Sequence, residues 1–221
     1  MKQGINALFT ILVFSVSVYN ISGQTKADGS TPQFLFPEFT KGDAIMKTGI
    51  SRSALMNYNT VSEKMVFQQG GRILEMTETE RIDTVSILGR KFIPAGKVFY
   101  ELLLKNNISL FVQHKGDLML PGKPVPYGGT SQTTSSSTVV SLEYDSRYVN
   151  MKLPADYTVN NKNIFWIMKN GAMTDFMSEK QFLKIFPEKN TELKKYIKES
   201  KVKFDRIPDI QKLVIYCNEI D

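Results

Sequence analysis

The chain contains one cysteine, Cys217, and one histidine, His114, in 221 residues. A lone cysteine excludes an intramolecular disulfide, so the fold must be held by its core. A lone histidine excludes a multi-histidine metal site, and any Ser-His-Asp arrangement would have to use His114. No G-x-S-x-G elbow is present, and the serines at 135–137 lie in a polar run rather than on a rigid turn. The net charge of +6 and pI of about 9.2 come from lysines scattered along the chain, with no arginine stripe. That gives a general attraction to anionic surfaces but no nucleic-acid-binding module. No internal repeat is present. Beyond the N-terminal segment no apolar run is long enough to span a bilayer as a helix.

What is present is a globular composition, 42% hydrophobic and 23% charged. Residues 1–23 read as a signal peptide. Lys2 supplies the positive start, ALFTILVFSVSVY (7–19) the apolar stretch, and Ser22-Gly23 small residues before a cut. Ile21 departs from the small residue expected there. The alternative, a membrane anchor, has too short an apolar run. No cysteine follows that run to carry a lipoprotein anchor. A periplasmic or secreted protein of about 190 residues is therefore expected, long enough to bury a core. Losing Lys2 would leave 27 basic against 22 acidic residues, a net charge of +5.

Residues 24–33 are small and polar, a flexible leader. FLFPEF (34–39) is too aromatic to stay in water and reads as a strap over the sheet edge, with a binding loop as the alternative. Strand-like alternation then recurs in short runs joined by turn residues. Residues 44–47 and 53–58 flank Thr48-Gly49, and residues 64–68 and 72–76 flank Gln69-Gly70-Gly71. Residues 82–88 and 91–94 flank Gly89-Arg90, which would set Ile87 opposite Phe92 and Val85 opposite Pro94. KVFYELLLKNNISLFVQH (97–114) reads as a central hairpin. A three-residue loop, 105–107, would pair Leu104 with Ile108, Leu102 with Leu110, Tyr100 with Val112 and Val98 with His114. PGKPVPYGGTSQTTSSS (121–137) is an exposed loop or tether. Strand signal returns at 138–144 and 164–169, and Asn170-Gly171 marks either a hairpin or the lead into a helix. Ser178 with Gln181 makes a capping box before Phe182, Ile185 and Phe186. Asn190 is expected to cap a second helix with Leu193, Tyr196 and Ile197 inward. Pro208 suits the first turn of a third, with Ile210, Leu213, Val214 and Cys217 on one face.

The resulting expectation is an α+β protein. An antiparallel β-meander or partly open β-barrel spans 34–120, a polar loop 121–137, and further strands with C-terminal helices 138–221. The last part could form one domain with the first.

Candidate chemistry is thin. His114 falls at a strand end opposite Val98, an ordinary position rather than that of a general base. Glu75, Glu78, Glu80 and Asp83 bunch around a turn without the spacing of a calcium loop. Gly128 to Ser131 could form an anion nest but lack a P-loop lysine. Tyr58, Tyr100, Tyr127, Tyr144, Tyr148 and Trp166 could stack on a sugar or peptide if several shared a face. Cys217 reads as a buried small hydrophobe rather than a reactive thiol.

Several phrases, FPEFTKGDAIMKTG (36–49), LMNYNTVSEKMVF (55–67), the stretch 89–103, YGGTSQT (127–133) and the lysine-rich C-terminal tail, resemble uncharacterised exported proteins of Bacteroidetes. The resemblance implies export and no particular activity. No catalytic, metal-binding or cofactor-binding residue follows from it or from the sequence. The favoured expectation is a non-catalytic envelope protein binding a protein partner or a small ligand. The rival is a hydrolase of cell-wall or glycan material using paired carboxylates such as Glu75 and Glu101.

Overall fold

A computed structural model describes residues 32–119, 123–124, 130–131 and 158–220. The leader at 24–31, most of the 121–137 loop, the 138–144 strand and the Gly128-Gly129 nest lie outside the described residues.

Ten strands form one antiparallel sheet, and the chain ends in helices. β1 (Thr40–Met46), β2 (Ser51–Asn59), β3 (Lys64–Gln69) and β4 (Arg72–Glu75) run outward to one edge. A short 3-10 turn, Thr79–Arg81, returns the chain so that β5 (Ile82–Ile87) pairs with the free side of β1. β6 (Arg90–Ala95), β7 (Val98–Leu104) and β8 (Ser109–Met119) continue from there. β9 (Lys123–Pro124) and β10 (Thr130–Ser131) make a separate small ladder. β11 (Thr158–Lys169) pairs along β8, and β12 (Ala172–Phe176) forms the far edge. Among the described residues the sheet is open, with β4 and β12 unpaired on their outer sides.

Turn chemistry accounts for several of these hairpins. Gly70 and Gly71 both have positive φ, 57° and 73°, between Gln69 and Arg72. Asn170 and Gly171 do the same at 52° and 77°, which settles that segment as a hairpin. Both are two-residue turns whose twist matches the strands.

Two registers differ from the sequence expectation. The β5–β6 turn uses Leu88 and Gly89 rather than Gly89 and Arg90, so Ile87 faces Arg90 and Val85 faces Phe92. Leu88 takes φ +50°, unfavourable for its side chain, while Val85, Ile87 and Phe92 become fully buried. Burial of three large apolar side chains, each worth about 1.5–3 kcal/mol, outweighs one strained turn residue. The β7–β8 hairpin also has a longer loop than three residues. Leu104 pairs with Leu110, Leu102 with Phe111 and Glu101 with Val112, with an irregularity at Leu103. The loop is held from a distance, because Asn218 accepts from the Ile108 amide at 3.0 Å and donates to the Ile108 carbonyl at 3.0 Å. The shift turns Phe99 and Glu101 inward and leaves Val98, Tyr100 and Leu102 half-buried.

The inner face carries two apolar clusters. One joins Ile108, Leu110, Val112, Phe165, Ile167 and Phe176 to the helices. α1 (Glu179–Ile185) starts at the Ser178 cap, as its capping box requires, and buries Phe182 and Leu183. α2 (Asn190–Glu199) follows a 3-10 turn, Pro187–Lys189, and buries Leu193 and Ile197. Asn190 is its first helical residue rather than its cap, because its side-chain amide donates to the Leu183 carbonyl. α3 (Ile207–Ile220) buries Ile210, Leu213, Val214 and Cys217, the face expected from their spacing.

The second cluster, around Tyr58, Met65, Val85, Phe92 and Phe99, fills the curl of the other half of the sheet. Phe36 belongs to it, packing edge-on against Phe92 at 6.2 Å, while Phe34 bridges to Asn59 and the Leu35 amide donates to the Tyr58 carbonyl, so the strap lies along the edge of β2 and also adds a ring to the core. Asn57 fixes the strap by accepting from the Phe36 amide and donating to its carbonyl. The curl brings the β2–β3 turn onto β8, where the Gly116 amide donates to the Thr60 carbonyl at 2.8 Å. Only glycine fits there: a Cβ at 116 would lie 2.5 Å from Thr60 Oγ1 and 2.6 Å from Val159 Cγ1.

Candidate functional site

Cross-strand partners share a face, so the inner row can be read across the sheet. Ala44 stands beside Val85, Val85 beside Phe92, Phe92 beside Glu101, Glu101 beside Val112, and Val112 beside Phe165. Glu101 is the one charged member of that run, and it is buried. An unpaired carboxylate there would cost several kcal/mol. Arg90, two residues from Phe92 on the same strand, meets it with both arms: Nε donates to Oε1 and Nη2 to Oε2, each at 2.6 Å. The guanidinium lies over the Phe36 and Phe92 rings, 5.0 and 5.6 Å from their centroids. That position adds a cation–π contribution to the ion pair.

His114 completes the cluster. Its Nε2 lies 2.6 Å from Glu101 Oε2 and its Nδ1 2.9 Å from Asn163 Oδ1. The ring meets Tyr58 edge-on at 6.2 Å, and the Tyr58 hydroxyl donates to the Phe99 carbonyl. His114 is therefore a buried interior residue, not a strand end. It pairs with Asn163, and the strand runs on to Met119.

The cluster is not arranged for acid–base work. Burial alone would raise the Glu101 carboxyl, but hydrogen bonds and charge from Arg90 and His114 outweigh it and hold the carboxyl below its ordinary value of 4.5. A general acid needs the opposite shift and an open path to substrate. Burial, then the charge of Glu63 and the neighbouring Tyr100, pushes the Tyr58 hydroxyl far above its usual range. Arg90, Glu101, His114 and Asn163 form a polar tie between the two apolar clusters.

Glu75 sits elsewhere, at the end of edge strand β4, where Lys64 pairs with it at 2.6 Å. Glu78 pairs with Arg81, and Asp83 accepts from the Thr84 hydroxyl. Among the described residues no three His, Cys, Asp or Glu side chains converge. Of the aromatic residues, Tyr100 and Trp166 do meet, stacked at 5.2 Å on the outer face with the Trp166 indole donating to Gln113. Tyr58 is in the core. Tyr127, Tyr144 and Tyr148 lie outside the described residues.

An open cavity of about 520 Å³ lies on the inner side of β1–β4, walled on its apolar side by members of the second cluster. Small residues create it. Ala44 and Ala54 line it, whereas the space at the neighbouring Gly42 is already filled, since a Cβ there would come within 2.9 Å of Ile87. Met46, Met56, Phe67, Met76 and Ile82 give apolar walls, and Arg52, directly across from Ala44, stands at the lip. Methionine walls adapt to irregular guests because the side chain is unbranched and polarisable.

Sequence reasoning missed Arg90, Asn163 and the whole cavity. Arg90 was hidden by its assignment to a turn. A glutamate inside an apolar run was the available signal, since a buried carboxylate needs a cation on a neighbouring strand. The chain matches no model of a known protein family, no curated protein and no solved structure.

Proposed function

We propose that this is an exported, non-catalytic envelope protein that holds a small amphipathic ligand in the cavity of β1–β4. The observation that carries the reading is that cavity, about 520 Å³ with apolar walls and a charged lip. Its size falls within the roughly 300–1,000 Å³ of small-molecule sites. The carboxylates named for a hydrolase support binding rather than catalysis, because Glu75 and Glu101 are each held by a cation of their own. Export rests on Lys2 and the apolar stretch at 7–19. N-terminal sequencing of the mature protein should find a start near residue 24, and recovery of Met1 would refute export.

The binding reading is tested by calorimetric titration of single-chain amphiphiles into wild type and Ala54→Phe. Ala54 is half-buried in the cavity wall, so the larger ring fills the space with little effect on the core. Wild type should bind with one-to-one saturation, and a variant that melts like wild type should not. Equal binding by both would remove the cavity from the account.

A further inference from the structure

We infer that the ligand of this cavity is an oxyanion-headed amphiphile, a medium-chain carboxylate, with Arg52 as the residue that holds its head. The inference rests on the cavity reading above and adds the ligand's charge.

Three observations carry it. First, among the described residues the Arg52 side chain makes no hydrogen bond or ion pair, although it lines the cavity. Arginine presents a planar fork of donors that matches a carboxylate with two parallel hydrogen bonds. Second, the carboxylates on the same wall are already neutralised, Glu75 by Lys64 and Glu78 by Arg81, both at 2.6 Å. Asp43 accepts from the Ser53 hydroxyl, and its place in β1, next to Ala44, turns it to the opposite face. The charge left at the lip is therefore positive. Third, the apolar part of the lining is continuous with the core: Met56 is nearly fully buried, and Ala44, Phe67 and Ile82 join the same cluster, with Ser53, Gln68, Gln69 and Thr77 as the neutral polar remainder. A positive lip above an apolar floor fits a guest with a negative head and a hydrocarbon tail. A cationic or neutral guest would leave Arg52 unmatched, and a polar one would leave the methionine floor without apolar contact.

The test uses the mature chain and three probes that share one tail, dodecanoate, dodecanol and dodecylammonium, kept below their aggregation concentrations. Dodecanoate should bind roughly tenfold more tightly than dodecanol, the lower end of what a charged hydrogen bond contributes at an exposed site, and dodecylammonium most weakly. Arg52→Gln should erase the advantage of dodecanoate and leave dodecanol unchanged. Because Arg52 is exposed, the variant should fold normally, and a melting curve verifies it. The preference of wild type for dodecanoate should also fall with added salt. Equal binding of dodecanoate and dodecanol, both lost in Ala54→Phe, would overturn the anion inference while keeping the cavity as a binding site. Preference for dodecylammonium would overturn it in the same way. No binding of any probe would overturn both.

Discussion

The polar tie at Arg90 gives the sharpest stability prediction. Arg90→Met removes both guanidinium hydrogen bonds from Glu101, whose side chain is 6% exposed, and leaves His114 as its remaining charged or polar partner there. Breaking a buried ion pair from one side costs about 3–5 kcal/mol, because the abandoned charge keeps its burial without its partner. Arg90 itself is one-third exposed, and His114 Nε2 still lies 2.6 Å from Glu101, so the lower end, about 3 kcal/mol, is expected. In a domain of this size that corresponds to a fall of roughly 6–12 °C in melting temperature. The double variant Arg90→Met/Glu101→Leu removes both charges and extends the apolar row from Phe92 to Val112. It should recover most of the loss, since replacing a buried pair with apolar groups is often near neutral. Urea unfolding of the three proteins, with slopes compared, measures both effects. Arg90→Met within about 1 kcal/mol of wild type, or a double variant no better than the single, would refute the view that Glu101 depends on Arg90.

Three further outcomes follow from the same geometry. The Glu101 carboxyl is held below its ordinary 4.5 in the folded state, so its contribution to stability is fully present above that value. It should be lost as pH falls through the lower folded value, and Glu101→Gln should flatten this part of an acid-unfolding profile; parallel profiles would count against it. Gly116→Ala, whose new methyl meets Thr60 and Val159, should cost about 1–3 kcal/mol in urea unfolding, whereas Gly70→Ala should be limited to its backbone strain, about 1–2 kcal/mol. Cys217, 1% exposed on the inner face of α3, should not react with a thiol reagent until the protein is unfolded; rapid modification of the native protein would show that this face of α3 does not lie against the core.

The helical end of the fold was legible because its signals are local. Ser178 with Gln181, Pro208 and the spacing of Ile210, Leu213, Val214 and Cys217 each act within a few residues, and the structure follows them. The antiparallel character of the sheet was legible from its turns for the same reason. Register was less so. Alternation at 97–104 reads equally well with either face inward, and the choice is made by Asn218, which is 110 positions from the loop it holds. One slip of that register moves Glu101 from solvent to the interior and changes its meaning. The site shared the same fate. Arg52, Ala54 and Met76 are unremarkable in sequence and come together only through the order in which β1–β4 pair. Glu101 and His114 were visible as residues, but their partnership crosses β7 and β8 and depends on the shifted register.

Whether the cavity of β1–β4 takes an amphipathic guest can be read from methyl NMR of the protein labelled at its methionines, titrated with dodecanoate. Met46, Met56 and Met76 line the cavity, whereas Met168 and Met173 lie on the far hairpin of β11 and β12 and are partly exposed. Saturable shifts are expected for the first three methyl signals and none for the last two. Shifts confined to Met168 and Met173, or no saturable shift at any methionine, would contradict binding in the cavity.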